Sequence, residues 1–142
     1  MKKDIIRNHP LMMECFGELK ENIMKGEKPT YNPVYLFGLS KKERYRIFFA
    51  FFNKDFNQFY KGRYISCCKI ELEGRSYSNY DFIILENLEF LVDYPELLEK
   101  VYSIINDCIK NEILIILCSD IDIHYLLSES NFKNAVRFYL NR

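Results

Sequence analysis

Three apolar runs constrain the fold of this 142-residue chain more than any other feature of its sequence. Residues 34–37, 81–86 and 113–118 each contain a continuous apolar stretch, and each is followed by glycine or polar residues. Strands of this composition are buried on both faces, as in parallel sheets that are covered by helices. Helical patterns separate the runs, so we predict one α/β domain over residues 1–142. It is predicted to be three-layered, with a mostly parallel sheet and helices on both faces.

The remaining elements follow from periodicity and from turn residues. Helical spacing predicts a helix that begins near Pro10 and stops at Gly26. The tail at residues 136–140 fits either a strand or a last helical turn, and we favour the strand. The other predicted elements are a helix over residues 41–60, a strand over 63–67, a polar loop over 73–79, a helix from Pro95 to Ile109, and a short helix over 123–127.

Composition narrows the possible function classes. Lys plus Arg equals Asp plus Glu at 20 each, so the net charge gives no reason to expect non-specific DNA binding. The sequence has no apolar run of about 18 residues and no signal-peptide pattern, which predicts a cytoplasmic protein. The five cysteines form no CxxC pair and have no metal-ligand spacing with either histidine. We therefore expect reduced, buried thiols and no metal site.

The end of the first predicted strand is where a phosphate-binding loop would lie, because ligands of such sheets bind at the carboxyl ends of strands. A phosphate loop needs several glycines, a Lys and a Ser or Thr. This chain has only Gly38 there. Ser40 and Glu43 instead match a capping box, in which each side chain would accept from the backbone N–H of the other residue. The helix start is thus predicted to satisfy its own donors.

Lys41, Lys42, Arg44 and Arg46 cluster at the start of the same predicted helix. Cations are unfavourable at a helix N-terminus, so a bound anion would relieve this arrangement. The other interpretation, which we favour, is a solvated helix start, because surface charges are tolerated at little cost.

Two more strand ends carry polar residues. Glu86 is placed where an acid would hold magnesium in a nucleoside triphosphatase, whereas the neighbouring amide of Asn87 cannot act as a base. We favour a Glu86 side chain that faces solvent. Ser119 follows the third apolar run, where such enzymes place a group that senses the γ-phosphate, although an ordinary turn explains it equally well.

Three segments in this order resemble the DnaA/Hda replication-initiation family of AAA+ proteins. They are residues 31–38 (YNPVYLFG), 82–91 (FIILENLEFL) and 115–120 (IILCSD). The family has YNPLYLYG, LLLIDDIQFL and IVLTSD at the corresponding places. Arg137 falls where the family has an arginine that reaches the ATP of a neighbouring subunit. The resemblance implies a P-loop NTPase core and a role in the initiation of DNA replication.

The departures from the family pattern imply a degenerate nucleotide site. Arg44 stands at the position of the loop lysine, Tyr45 at that of the magnesium-binding Thr, and Glu86 and Asn87 at those of the paired acids. The chain also ends before any helical lid or DNA-binding domain of the family. The resemblance therefore places the remnants of the site at these positions: Gly38, Ser40, Arg44, Tyr45, Glu86, Asn87 and Ser119.

We thus predict a DnaA-like domain without catalytic residues, bound cofactor or metal. It would act by binding a protein, such as a replication initiator or a helicase component. The residues expected to make contacts are Lys41, Lys42, Arg46 and Arg137. One alternative is a divergent protein that binds ATP or ADP through Arg44 and Glu86, although Arg replaces Lys poorly at a tight phosphate site. Another is a DNA-binding accessory protein that uses the basic cluster.

Overall fold

The computed structural model describes residues 10–38, 40–72, 77–127, 132 and 135–139, and these form a sheet with helices on both of its faces. The α-helices are α1 (Pro10–Lys25), α2 (Lys41–Phe51), α3 (Lys54–Asn57) and α4 (Leu98–Lys110). The strands are β1 (Val34–Phe37), β2 (Gly62–Ser66), β3 (Phe82–Glu86), β4 (Leu114–Ser119) and β5 (Val136–Tyr139). Short 3₁₀ helices span Cys67–Leu72, Leu88–Val92, Pro95–Leu97 and His124–Leu126.

The five described strands are all parallel, in the order β2-β3-β4-β1-β5. Val34 of β1 pairs with Ile116 of β4 on one side and with Val136 of β5 on the other. The side chain of Asn32 fixes the start of this register, since its amide donates to the Ile113 carbonyl and accepts from the Ile115 N–H. The predicted fold class is confirmed.

The sheet separates two apolar layers, because successive strand residues point to opposite faces. Ile83 and Leu85 of β3 face the layer that α4 covers, whereas Ile84 faces the layer that α1 and α2 cover. Aromatic side chains fill much of the second layer, including Phe52 stacked on Phe82 at a centroid distance of 4.6 Å. Burying a side chain of this kind stabilises a fold by about 1.5–3 kcal/mol.

The prediction of one helix over residues 41–60 was wrong, because the chain divides there into two helices. α2 ends at Phe51, and Asn53 then caps α3 by accepting from the N–H of Phe56 at 2.9 Å. An Asn side chain offers the backbone this alternative to a continuous helix. Aromatic residues of the segment pack in the core as expected, with the exception of Phe49 and Phe59, which are exposed.

Other predicted elements hold with small changes of boundary. Gly26 ends α1 with a positive φ of 67°, and the tail forms strand β5 as favoured. The second strand begins and ends one residue earlier than predicted, and Cys67 starts a 3₁₀ helix. In the predicted polar loop, residues 73–76 lie outside the described part of the chain. No helix among the described residues is long and apolar enough to span a membrane.

Candidate functional site

The carboxyl ends of β1, β3 and β4 meet at one edge of the sheet, and their polar residues form the candidate site. Only three residues separate β1 from α2, which begins at Lys41. Residues 41–43 are therefore helical, although a phosphate loop would need this stretch as open backbone to surround a phosphate. Gly38 is committed to the sheet, because its N–H donates to the Ser119 carbonyl at 3.2 Å.

Arg44 lies at the centre of this edge and is completely buried. Its Nη2 donates to Glu86 Oε1 at 2.7 Å, and its Nε donates to Glu86 Oε2 at 3.3 Å. Both carboxylate oxygens of Glu86 are thus engaged by one guanidinium, the bidentate geometry that makes Arg–carboxylate pairs strong. The prediction of a Glu86 side chain facing solvent was wrong, since this residue is only 2% exposed.

The remaining guanidinium nitrogen of Arg44 bonds to the end of β4. Nη1 donates to Asp120 Oδ1 at 2.9 Å and to the Ser119 carbonyl at 3.4 Å. The expectation that Arg44 belongs to a surface basic cluster was therefore wrong. Burial disfavours the charged guanidinium, but hydrogen bonding and coulombic attraction from Glu86, together with the hydrogen bond to Asp120, outweigh it and raise the pKa of Arg44.

The electrostatic balance of the site is negative. Glu89 also reaches this edge, where its carboxylate accepts from the Asp120 backbone N–H at 3.2 Å. One buried guanidinium therefore pairs with two carboxylates, those of Glu86 and Asp120, and the Glu89 carboxylate lies beside Asp120 at the same edge.

The predicted capping box takes a different form. Ser40 is the N-cap of α2, but no side-chain hydrogen bond caps the helix. The Ser40 hydroxyl instead donates to the Glu43 carboxylate at 3.0 Å. The reciprocal side-chain-to-backbone pattern was wrong, because the two side chains bond to each other. Lys41, Lys42 and Arg46 are exposed on α2.

The other predicted positions are dispersed around this centre. Asn87 has a left-handed backbone with φ of 63°, and its amide donates to Ser66 Oγ at 2.8 Å. Ser119 is buried at the end of β4. The ring of Tyr45 packs against the ring of Tyr64 in β2, with 5.5 Å between the ring centroids. Arg137 is exposed on the edge strand β5.

Asp120 was noted only as part of the strand end that it forms with Ser119, and Glu89 was missed as a member of the site. A further buried group touches it from β4: burial raises the pKa of the Cys118 thiol well above its usual range, and the charge of Glu86 adds to this effect. Four of the five cysteines are buried as predicted, whereas Cys68 is exposed. No group of His, Cys, Asp and Glu among the described residues is arranged to hold a metal ion.

A cavity of about 290 Å³ lies at the opposite, amino-terminal edge of the sheet. Pro29, Asp81 and Ile113, which precede β1, β3 and β4, contribute to its lining. It is therefore separate from the strand ends at which nucleotides bind in open α/β sheets.

Neither a protein-family model nor a curated protein sequence matches this chain. Solved structures do match it. A DNA replication initiation factor superposes with a TM-score of 0.70 at 19% identity, over 95% of this chain and 46% of that one. AMPPCP-bound DnaA from Aquifex aeolicus gives a TM-score of 0.67 at 19% identity, over 92% and 46%. Domain III of DnaA from Thermotoga maritima gives 0.64 at 14% identity, over 91% and 62%.

The chain has the α/β fold of these replication-initiation structures, so the resemblance read from three sequence segments is confirmed at the level of the fold. It spans about half the length of the first two of these structures and 62% of the third. At these identities, the likeness defines the architecture, and the chemistry must be argued from the residues at the site.

Proposed function

We propose that this chain is a DnaA-like domain that neither holds nor hydrolyses ATP and acts through a protein partner in the initiation or regulation of chromosomal DNA replication. The proposal that the chain neither holds nor hydrolyses ATP rests on the buried pairing of Arg44 with Glu86 and Asp120. The cation that would bind phosphate and the acid that would hold magnesium neutralise each other.

The internal pairing competes directly with nucleotide. For Mg-ATP to bind at this edge, Arg44 would have to leave two carboxylates that accept from it at 2.7–3.3 Å and the Ser119 carbonyl at 3.4 Å. Separating a buried ion pair costs about 3–5 kcal/mol, which would reduce an affinity by roughly two to four orders of magnitude.

A domain that no longer binds or hydrolyses ATP can still bind another protein, because the sheet and its two helical layers remain intact around the altered site. DnaA of Aquifex aeolicus is known with the ATP analogue AMPPCP bound, and this chain has the same core fold with a self-paired site. A domain that has kept the fold and lost the ligand groups is best suited to contact with another protein. The proposed partner is a replication initiator or a component of the helicase.

Two assays test the two halves separately. Purified protein incubated with Mg-ATP should release phosphate no faster than a control without protein, and the Glu86→Gln variant should behave identically. Immobilised protein should retain the purified replication initiator or helicase from the same cells, and an unrelated α/β domain should not. Phosphate release that Glu86→Gln abolishes would contradict the first half. Failure to retain any replication protein would contradict the second.

A further inference from the structure

The outer side of α2 carries cations and aromatic rings on adjacent turns. We call this the basic–aromatic face and define it by Lys41, Lys42, Tyr45, Arg46 and Phe49. Lys42 and Arg46 are four residues apart, as are Lys41, Tyr45 and Phe49, so the two rows run side by side along the helix. Phe49 is 63% exposed, and the Lys41 ammonium lies 5.5 Å from the centre of the Tyr45 ring.

The charges of this face are available for an outside partner. Lys42 and Arg46 are exposed, and no acidic side chain forms an ion pair with either one within the part of the chain that the structure describes. A large exposed aromatic ring beside unpaired cations is typical of protein contacts, in which aromatic residues and Arg supply most of the binding energy.

A second surface has the complementary composition. We call it the acidic turn and define it by Val92, Asp93, Tyr94, Glu96 and Glu99, all of which are exposed. It links the 3₁₀ helix after β3 to the start of α4. Val92 is 43% exposed and Tyr94 is 45% exposed, with the Tyr94 ring held by stacking on Phe90 at 4.4 Å. The acidic turn thus also combines charges of one sign with exposed apolar groups.

The two surfaces cannot meet within one molecule. Ile47 and Phe48 of α2 pack in the apolar layer on one face of the sheet, whereas Leu97 and Val101, next to the acidic turn, pack in the layer on the other face. The basic–aromatic face and the acidic turn therefore lie on opposite sides of the sheet. A contact between them requires two copies of the chain.

We infer that the basic–aromatic face of one copy binds the acidic turn of another. Three cations and a Phe ring then meet three carboxylates and a Tyr ring. Because the two patches differ, the contact is heterologous, and each added copy leaves one patch of each kind free for the next. Association is open-ended, requires no nucleotide and is sensitive to salt.

The extent of the basic–aromatic face favours this occupant over single-stranded nucleic acid. Lys41 to Arg46 spans roughly 8 Å of helix axis, and nucleic-acid grooves follow the backbone over at least about four nucleotides.

The test is analytical ultracentrifugation of the 17.2 kDa chain without nucleotide, from about 10 to 500 µM, because patches of this size give weak contacts. At low salt the weight-average mass should rise continuously with concentration, and about 0.5 M NaCl should weaken association roughly tenfold.

Two double variants each remove one of the two surfaces. Lys42→Ala with Arg46→Ala blocks the basic–aromatic face, and Asp93→Asn with Glu96→Gln blocks the acidic turn. Each double variant should remain a monomer, and an equimolar mixture should stop at a dimer, since only one intact contact is then available.

Matched controls remove the same charges elsewhere. Lys28→Ala with Lys110→Ala and Glu14→Gln with Glu18→Gln alter exposed residues outside both patches and should associate like the unmodified chain. A chain that is monomeric at every concentration overturns the inference, as does a mixture of blocked variants that fails to dimerise. A labelled oligothymidylate that binds the monomer, and is lost only with Lys42→Ala and Arg46→Ala, would assign the face to nucleic acid instead.

Discussion

Removing the guanidinium of Arg44 is the most informative single perturbation of the site. In Arg44→Met, the chain keeps an apolar stem of similar length, but Glu86 becomes a buried carboxylate without its bidentate partner. Breaking a buried pair by removing one member typically costs about 3–5 kcal/mol, because the remaining charge stays desolvated. Asp120 is more than half exposed and adds little, since water replaces its partner.

This loss is large for a domain of this size. Free energies of unfolding of about 5–15 kcal/mol are usual for such domains, so the variant should lose a large part of its stability. Its melting temperature should be lower by roughly 10 °C. The measurement is urea unfolding followed by circular dichroism, in which the midpoint shifts while the slope stays constant. Arg46→Met, two residues away and exposed, is the control and should change stability by less than about 0.5 kcal/mol.

A double variant separates the ion pair from general disruption. Replacing both members, as in Arg44→Met with Glu86→Leu, removes the unpaired charge and should recover at least about 2 kcal/mol relative to Arg44→Met. The reasoning would be refuted if Arg44→Met lost less than about 1 kcal/mol, because Glu86 would then be solvated in its absence. It would also be refuted if the two substitutions were simply additive.

Further expectations concern packing and the thiols. A Cβ at Gly62 would collide with the ring of Phe82, whereas one at Gly17 would meet nothing within 4 Å. Gly62→Ala should therefore destabilise the fold by about 1–3 kcal/mol. Gly17→Ala, inside α1, should stabilise it by up to about 1 kcal/mol. If the two variants had equal effects on the free energy of unfolding in urea, this description of the packing would be contradicted. In the native protein, a disulfide reagent should react rapidly with one thiol only, that of Cys68. After unfolding, all five cysteine thiols should react. A second rapidly reacting thiol in the native protein would show that the buried cysteines are accessible. Burial raises the pKa of Cys15, Cys67 and Cys108 from the ordinary thiol value of about 9 to about 12. Their contribution to stability is therefore complete below pH 9 and should be lost as pH rises from about 9 to 12. Constant urea midpoints over that range would contradict this expectation.

Strands β1, β3 and β4 were predictable because they are buried on both faces and are therefore apolar along their length, whereas β2 and β5 are only partly buried. β3 and β4 are covered by helical layers on both sides, and the sequence shows this directly as runs such as residues 113–118. The break between α2 and α3 was not predictable from periodicity, because the aromatic spacing continues through it. The break shows only in the local geometry, where the backbone of Phe52 leaves the helical region and Asn53 caps α3 by accepting from the N–H of Phe56.

The pairing at the site was hidden for a different reason. Arg44 lies 42 residues from Glu86 and 76 residues from Asp120 in sequence, and no local pattern reports such a contact. A signal did exist in the helix itself. Arg44 precedes the buried residues Ile47 and Phe48 by three and four positions, which places it on the same face of α2. A cation on a buried helical stripe indicates a buried acidic partner.

The central claim is that Arg44, Glu86 and Asp120 close the nucleotide site by pairing with one another. Calorimetric titration of ATP and of ADP, each with magnesium, into the purified chain tests it most directly. The account predicts no binding heat up to millimolar nucleotide, for the unmodified chain and for the exposed control Arg46→Met alike. Micromolar binding that Arg44→Met abolishes would contradict it, because Arg44 would then be a phosphate ligand rather than the ion that closes the site.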